Sequence, residues 1–152
     1  MNGSIICGVD GSDESRAALR VAAQLADSLG LRLVMAHVTP AEVYASGLEA
    51  RAPLTVSASE LSRAGERLLE QVAELEGVVD AEPRALCGLP AERLADLADE
   101  EAGRIIVVGS RGRGAFKSAF LGSVSSDVIG LARCPVLVVP PAASAAGRCA
   151  AW

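Results

Sequence analysis

Short apolar, β-branched runs alternate along the chain with longer segments that carry helix start and stop signals. Five runs have the length of a strand and four segments have the length of a helix. Parallel strands need a crossover connection, and a helix is the usual one. The alternation therefore predicts an α/β fold in which helices cover both faces of a parallel sheet. The predicted strands are 4–9, 31–38, 78–87, 104–109 and 135–139.

Local signals set the predicted helices at 12–29, 57–76, 90–101 and 123–132. The signals are the candidate N-caps Ser12 and Ser123, the C-cap Gly30, the capping box of Ser57 with Glu60, and Pro90 at a first helical position. Residues 39–56 contain two prolines and lack periodicity, which predicts a long loop with at most a short helical turn. Pro83 indicates that the third strand lies at a sheet edge.

Composition favours a single cytoplasmic domain. The chain has 152 residues, enough for one good core, and half of them are hydrophobic. Aromatic residues make up only 3%, so the core must consist of aliphatic side chains. No apolar run is as long as a membrane span, and the start of the chain lacks the pattern of a signal segment. The four cysteines form no C-x-x-C pair, which is typical of thiols in a reducing compartment.

A glycine-rich loop follows the fourth predicted strand. It reads Gly109-Ser110-Arg111-Gly112, and after nine more residues Gly122-Ser123 opens the last predicted helix. A strand, a glycine loop and a helix N-terminus in this order form a pocket of backbone N–H groups that suits a phosphate. The P-loop signature is absent because Phe116 stands where its glycine must be, and the dinucleotide fingerprint G-x-G-x-x-G is incomplete.

Charge is distributed unevenly between the two parts of the chain. Residues 1–103 carry 8 basic and 18 acidic side chains, whereas residues 104–152 carry 6 basic and 1 acidic. Arg111, Arg113 and Lys117 all lie in the glycine loop. A local positive field on an acidic protein favours a small anionic ligand and argues against nucleic acid as a partner. No segment indicates a membrane partner.

The spacing Gly109-x2-Gly112-x9-Gly122-Ser123 resembles that of the ATP-binding members of the universal stress protein family. The first strand with its closing aspartate (5–12), the second strand (33–38) and the last one (134–139) resemble the same family. The resemblance implies a nucleotide-binding domain over residues 1–140. The segment 141–152 that follows is rich in Ala, Pro and Ser, which predicts a mobile tail. The resemblance also implies a Rossmann-like, doubly wound sheet of strand order 3-2-1-4-5. Strands one and four would then be neighbours at the switch point where such sheets bind ligands.

The resemblance further implies a set of site residues at that point. Asp10 would meet the adenosine part of the ligand or help to hold a metal, although a turn or cap role is its alternative. Val38 would present its backbone to the adenine edge. Val108 would pack on the base. The remaining candidates lie along the same edge or around ribose and phosphates: Gly8, Val9, Gly109, Arg111, Gly112, Gly122, Ser123 and Val124. We expect a structural role for His37, because no catalytic pattern surrounds it.

The expected function is that of a regulatory, stress-related protein that binds ATP with or without Mg²⁺. No tandem of acidic residues lies near the loop to hold a metal for hydrolysis, and Asp127 is a weak candidate. A slow ATPase, a nucleotidyl-transferring enzyme, or a protein that binds AMP or cyclic AMP remain alternatives. The apolar run 136–139 lies at a sheet edge in the implied order, where it favours a homodimer.

Overall fold

The computed structural model describes residues 3–40, 57–112 and 121–141. Five parallel strands form one sheet of order β3-β2-β1-β4-β5, which confirms the predicted doubly wound α/β fold. The predicted loop at 39–56 starts two residues too early, because Thr39 and Pro40 still pair with Cys87 and Gly88 and so belong to the second strand. Residues 41–56, the basic residues Arg113 and Lys117, and residues 142–152 of the predicted tail lie outside the described residues. The elements are β1 (Ser4–Gly8), α1 (Asp13–Leu29), β2 (Arg32–Pro40), α2 (Ala58–Glu76), β3 (Ala81–Gly88), α3 (Pro90–Glu100), β4 (Gly103–Gly109), α4 (Ser123–Leu131) and β5 (Val136–Val139).

Side-chain and glycine caps end the helices largely where the sequence predicts. The Ser12 hydroxyl accepts a hydrogen bond from the Ser15 amide, and Gly30 closes α1 with a left-handed φ of 62°. Both hydrogen bonds of the capping box between Ser57 and Glu60 are present at the start of α2. Pro90 occupies the first turn of α3.

β3 starts three residues later than the predicted start at 78. Gly77 ends α2 with a φ of 66°, and the Val78 amide donates a hydrogen bond back to the Ala73 carbonyl. This Schellman-type closure uses Val78 to end the helix. Asp80 then has a left-handed φ of 57°, so the chain becomes extended only at Ala81. The strand lies at a sheet edge, as Pro83 indicates.

The core has two aliphatic layers, one on each face of the sheet. Odd-numbered residues of β1 and β2, among them Ile5 and Met35, pack against α1 and α2. Even-numbered residues such as Ile6 and Val34 pack against α3 and α4. Successive side chains of a strand point to opposite faces, so a strand that is buried on both faces contributes residues to both layers. Among the described residues, no helix combines the length and the apolar character needed to cross a bilayer.

A partly buried ion pair joins α1 to the end of α2. The Glu76 carboxylate, whose side chain is 5% exposed, accepts a hydrogen bond from Arg16 Nε at 2.6 Å and another from Arg20. Burial alone would raise the pKa of Glu76, but the two guanidinium groups outweigh it, so the pKa of this carboxyl lies below its ordinary value. The pair therefore fixes α1 and α2 relative to each other.

Candidate functional site

A cavity of about 590 Å³ lies at the carboxyl edge of the sheet, where β1 and β4 end side by side. Strand order reverses at this point, because β2 and β3 continue to one side of β1 while β4 and β5 lie on the other. All eleven predicted site residues line the cavity: Gly8, Val9, Asp10, Val38, Val108, Gly109, Arg111, Gly112, Gly122, Ser123 and Val124. Four separate stretches of the sequence therefore meet around one space.

Eight further residues line the cavity that the sequence reasoning did not assign to the site: Ser15, Ala36, His37, Pro40, Pro90, Leu94, Leu121 and Ser125. Ala36 could have been predicted to line the cavity, because it lies two residues before Val38 on the same face of β2. Pro90 and Leu94 come from α3, and no local pattern indicates that this helix reaches the cavity. They extend its apolar wall beside Val108.

Asp10 is anchored as a turn residue and at the same time lies at the cavity. Its Oδ1 accepts hydrogen bonds from the Ser12 amide at 2.9 Å and from the Ser12 hydroxyl at 2.5 Å. Its Oδ2 faces the glycine loop, since a Cβ on Gly112 would lie only 2.5 Å from it. The carboxylate thus fills the space between the loop after β1 and the loop after β4.

Ser15, which is 4% exposed, completes the support of Asp10. The Ser15 hydroxyl donates to the Ser12 carbonyl at 3.0 Å and accepts from the Asp10 amide at 3.3 Å. Because Ser12 in turn caps α1 through the Ser15 amide, the three residues form a closed set of hydrogen bonds. This set fixes the start of the helix and the acidic side chain together.

The three glycines of the loop motif are needed for different reasons. A Cβ on Gly109 would lie 2.8 Å from the Glu14 carbonyl carbon, so this glycine lets the first turn of α1 pack on the end of β4. Gly112 leaves room for the Asp10 carboxylate. Among the described residues, a Cβ on Gly122 would meet no atom closer than 3.4 Å, the distance to Arg111 Cα. Of these three glycines, Gly122 is thus the one that the described part of the chain leaves room to replace by a larger residue.

The start of α4 differs from the prediction that Ser123 is its N-cap. Gly122 is the N-cap, with an extended backbone at φ −72° and ψ 165°, and no side chain of the described residues caps this helix. The Gly122 amide donates to the Ser110 carbonyl at 2.6 Å, and the Ser125 hydroxyl donates to the Gly122 carbonyl at 3.0 Å. These bonds fix Gly122 as the last extended residue. Ser123 becomes the first helical residue, with the first turn of α4 facing the cavity.

The charged groups at the cavity are few among the described residues. Arg111 is half-buried in its wall, and none of the ion pairs between described residues includes it. Asp127, the weak metal candidate, is exposed and does not line the cavity. The described part of the chain holds no group of three or more acidic, histidine or cysteine side chains that could hold a metal. A cationic side chain and a helix N-terminus at the same wall suit an anion.

Comparison with known proteins agrees with this architecture. The model of the universal stress protein family matches residues 1–140 of the chain. The chain belongs to this family. A universal stress protein of Thermus aquaticus is 37% identical over 139 residues, which cover 90% of this chain and 97% of that protein.

Two solved structures share the fold of this universal stress protein over nearly their whole length. The protein MJ0577 superimposes with a TM-score of 0.76 at 27% identity, covering 95% of this chain and 99% of that chain. A universal stress protein in complex with cAMP superimposes with a TM-score of 0.66 at 26% identity, covering 92% of this chain and 98% of that one. A member of similar fold therefore binds an adenine nucleotide.

Proposed function

We propose that this universal stress protein binds an adenine nucleotide, with ATP as the physiological ligand, in the cavity at the carboxyl edge of the sheet. The observation that carries the proposal is the convergence of the glycine motif, Asp10 and Val38 on one cavity of about 590 Å³. Clefts of about 300–1,000 Å³ that combine apolar walls with a few polar groups are the usual sites of small ligands.

The cavity offers separate surroundings for the parts of a nucleotide. Val38, Val108 and Leu94 form an apolar wall that suits a purine ring. Gly122 and Ser123, with the amides of the first turn of α4, also line the cavity, and these suit phosphate oxygens. Arg111 adds a positive charge to the same lining. Asp10, held at the exit of β1, is suited to accept hydrogen bonds from the ribose.

The identity of the nucleotide rests on two kinds of support. The relative in complex with cAMP favours an adenine nucleotide in general. The spacing Gly109-x2-Gly112-x9-Gly122-Ser123, which resembles that of the ATP-binding members, favours ATP within that class. Mg²⁺ would then accompany the ligand chiefly through the phosphates of ATP, since this metal prefers a site of few carboxylates and several phosphate and water oxygens.

We further propose that the protein acts as a regulatory binding protein of the cytoplasm and forms a homodimer through residues 136–139. β5 is an edge strand, and its Leu137 is exposed. An apolar edge strand favours pairing with a second chain. Nucleotide binding in the cavity would then change the conformation or the assembly of the dimer, and a partner protein would respond to that change.

Calorimetric titration of nucleotide-free protein with ATP, AMP and cyclic AMP tests the proposal. We expect the parent to bind ATP most tightly. We expect Gly122→Glu to abolish binding, because the variant puts a negative charge at the phosphate position. Gly122→Ala is the matched control: its Cβ has room beside the described residues, so a weaker affinity of a variant as stable as the parent would report contact with the ligand.

Absence of binding by the nucleotide-free parent would refute the proposed function. Equal affinities of the parent and Gly122→Glu would show that the ligand lies elsewhere. Phosphate release measured in the same samples with Mg²⁺ separates binding from the alternative of a slow ATPase. That alternative requires turnover above a control without protein, which Asp10→Ala abolishes while ATP still binds.

A further inference from the structure

The pairing of β1 with β2 continues one residue beyond the end of β1. The ladder runs from Ser4 opposite Arg32 to Gly8 opposite Ala36, and the Val9 amide then donates to the Ala36 carbonyl at 2.8 Å. In a parallel ladder the next hydrogen bond would join the Val9 carbonyl to the amide of Val38. Among the described residues, no such bond between the Val38 amide and Val9 is found.

The side chain of His37 takes that place. His37 Nδ1 lies 2.9 Å from the Val9 carbonyl oxygen. A carbonyl can only accept, so Nδ1 carries the proton and donates it. His37 is the single histidine of the sequence and lines the cavity. The backbone of Val9 is therefore held by β2 at both its amide and its carbonyl.

A contact with α2 fixes the histidine ring from its other side. A Cβ on Gly65 would lie 3.3 Å from His37 Cδ2 and 3.1 Å from the Ala85 Cβ, so α2 lies close over the ring. A glycine inside a helix costs about 1 kcal/mol relative to alanine, and the close approach of His37 and Ala85 is the packing reason for Gly65. The ring is thus held between α2 and the end of β1.

The consequence concerns the backbone of Val38. Successive residues of a strand direct their peptide groups to alternate neighbours, and Ala36 points toward β1. Val38 must then point to the same side, where β1 has already ended and the cavity begins. Its amide and carbonyl face the space in which an adenine edge, with one donor and one acceptor, would be recognised.

We propose that His37 is a positioning residue for base recognition: by binding the Val9 carbonyl it keeps the Val38 peptide directed at the ligand. This inference rests on the proposed binding of an adenine nucleotide. The chemical class it selects is a base edge that donates from an exocyclic amine and accepts at the adjacent ring nitrogen. Guanine presents the reverse pattern and leaves both groups of Val38 unpaired.

Titration of ATP and GTP into the parent, His37→Leu and His37→Asn tests this role. The leucine variant fills a similar space but lacks the donor. The asparagine variant keeps a nitrogen donor at the same number of bonds from Cα as Nδ1. We expect His37→Leu to weaken ATP binding about tenfold, as the loss of one hydrogen bond allows, with GTP binding unchanged. His37→Asn should restore most of the preference for ATP.

Each outcome decides a separate question. A parent that binds no adenine nucleotide refutes the proposed function, and this inference with it. A parent that binds ATP no better than GTP, or a leucine variant with unchanged or equally weakened affinity for both, overturns the inference alone. If circular dichroism shows that His37→Leu is unfolded, His37→Gln replaces it. Its donor lies one bond too far, so equal affinities of the glutamine and asparagine variants would also overturn the inference.

Discussion

Replacing Gly109 by alanine should destabilise the fold, although the residue belongs to a motif that suggests ligand binding. The added Cβ would lie 2.8 Å from the carbonyl carbon of Glu14, 2.9 Å from its Cβ and 3.0 Å from its oxygen. Carbon atoms in contact are normally about 3.5–4.0 Å apart. Two of these three atoms are backbone atoms of α1, so no rotation of a side chain can relieve the overlap.

The magnitude follows from two opposing terms. Forcing an extra carbon into a packed region costs about 1–3 kcal/mol. Gly109 is not among the glycines with a positive φ, so alanine can adopt its backbone conformation. Alanine also lowers the conformational entropy of the unfolded chain, and this stabilises the variant by about 0.4–1 kcal/mol against the cost of the overlap. We expect the free energy of unfolding to fall by about 1–2 kcal/mol. At about 2–4 °C per kcal/mol for a domain of this size, Tm should fall by several degrees.

Urea unfolding followed by far-UV circular dichroism measures this change, with Gly122→Ala as the matched control. A Cβ at position 122 meets no described atom closer than 3.4 Å, so the unfolding free energy of Gly122→Ala should stay within about 0.5 kcal/mol of the parent. Gly109→Ala should therefore lose stability, whereas Gly122→Ala should keep its stability and lose only affinity for the nucleotide. A Gly109→Ala protein as stable as the parent, or a Gly122→Ala protein destabilised to the same extent, would refute the packing argument.

Three further predictions concern other parts of the chain. Ser110 is 6% exposed, and its buried hydroxyl has no hydrogen-bond partner among the described residues. Ser110→Ala should therefore leave the unfolding free energy unchanged or raise it by about 1 kcal/mol, and a clear loss in urea unfolding would contradict this. The lowered pKa of Glu76 contributes stability that is present above the ordinary glutamate pKa of about 4.3 and is lost as the pH falls through the folded value. Glu76→Gln should thus lower the urea midpoint at pH 7, and the difference from the parent should shrink by pH 3; a constant difference would count against the pair with Arg16 and Arg20. Val138 directs its amide away from β4, so Val138→Pro should turn a dimeric parent into a monomer in light scattering, whereas a dimeric variant would exclude pairing through this edge.

The elements of the fold could be predicted because their signals are local. The capping box of Ser57 with Glu60 and the glycine at position 30 each act within a few residues, and both are present in the structure. The strand order needed more than local pattern, because alternating strands and helices allow several orders of a parallel sheet. It came from the resemblance to a family. The start of β3 was predicted too early because valine is a residue typical of strands. In the structure, the Val78 amide instead donates a hydrogen bond to the Ala73 carbonyl and so ends α2.

The candidate site was predictable where strand ends determine it. Asp10 and Gly109 follow neighbouring parallel strands, which brings them to one edge of the sheet. The cap of α4 was not predictable in this way, since glycine and serine both suit an N-cap position. The choice depends on the hydrogen bond from the Gly122 amide to the Ser110 carbonyl, twelve residues earlier in the chain. Leu94 was missed because its contact depends on how α3 packs.

The glycine motif therefore carries two kinds of information that its spacing alone does not separate. Gly109 and Gly112 are required by contacts within the chain, with α1 and with the Asp10 carboxylate. Their presence would be explained by the fold even if no ligand were bound. Gly122 has no such contact with the described residues, because both its φ of −72° and these surroundings admit a side chain. Of the three glycines, it is therefore the position at which a substitution tests the proposed binding with the least effect on the fold, and for that reason the binding test rests on Gly122.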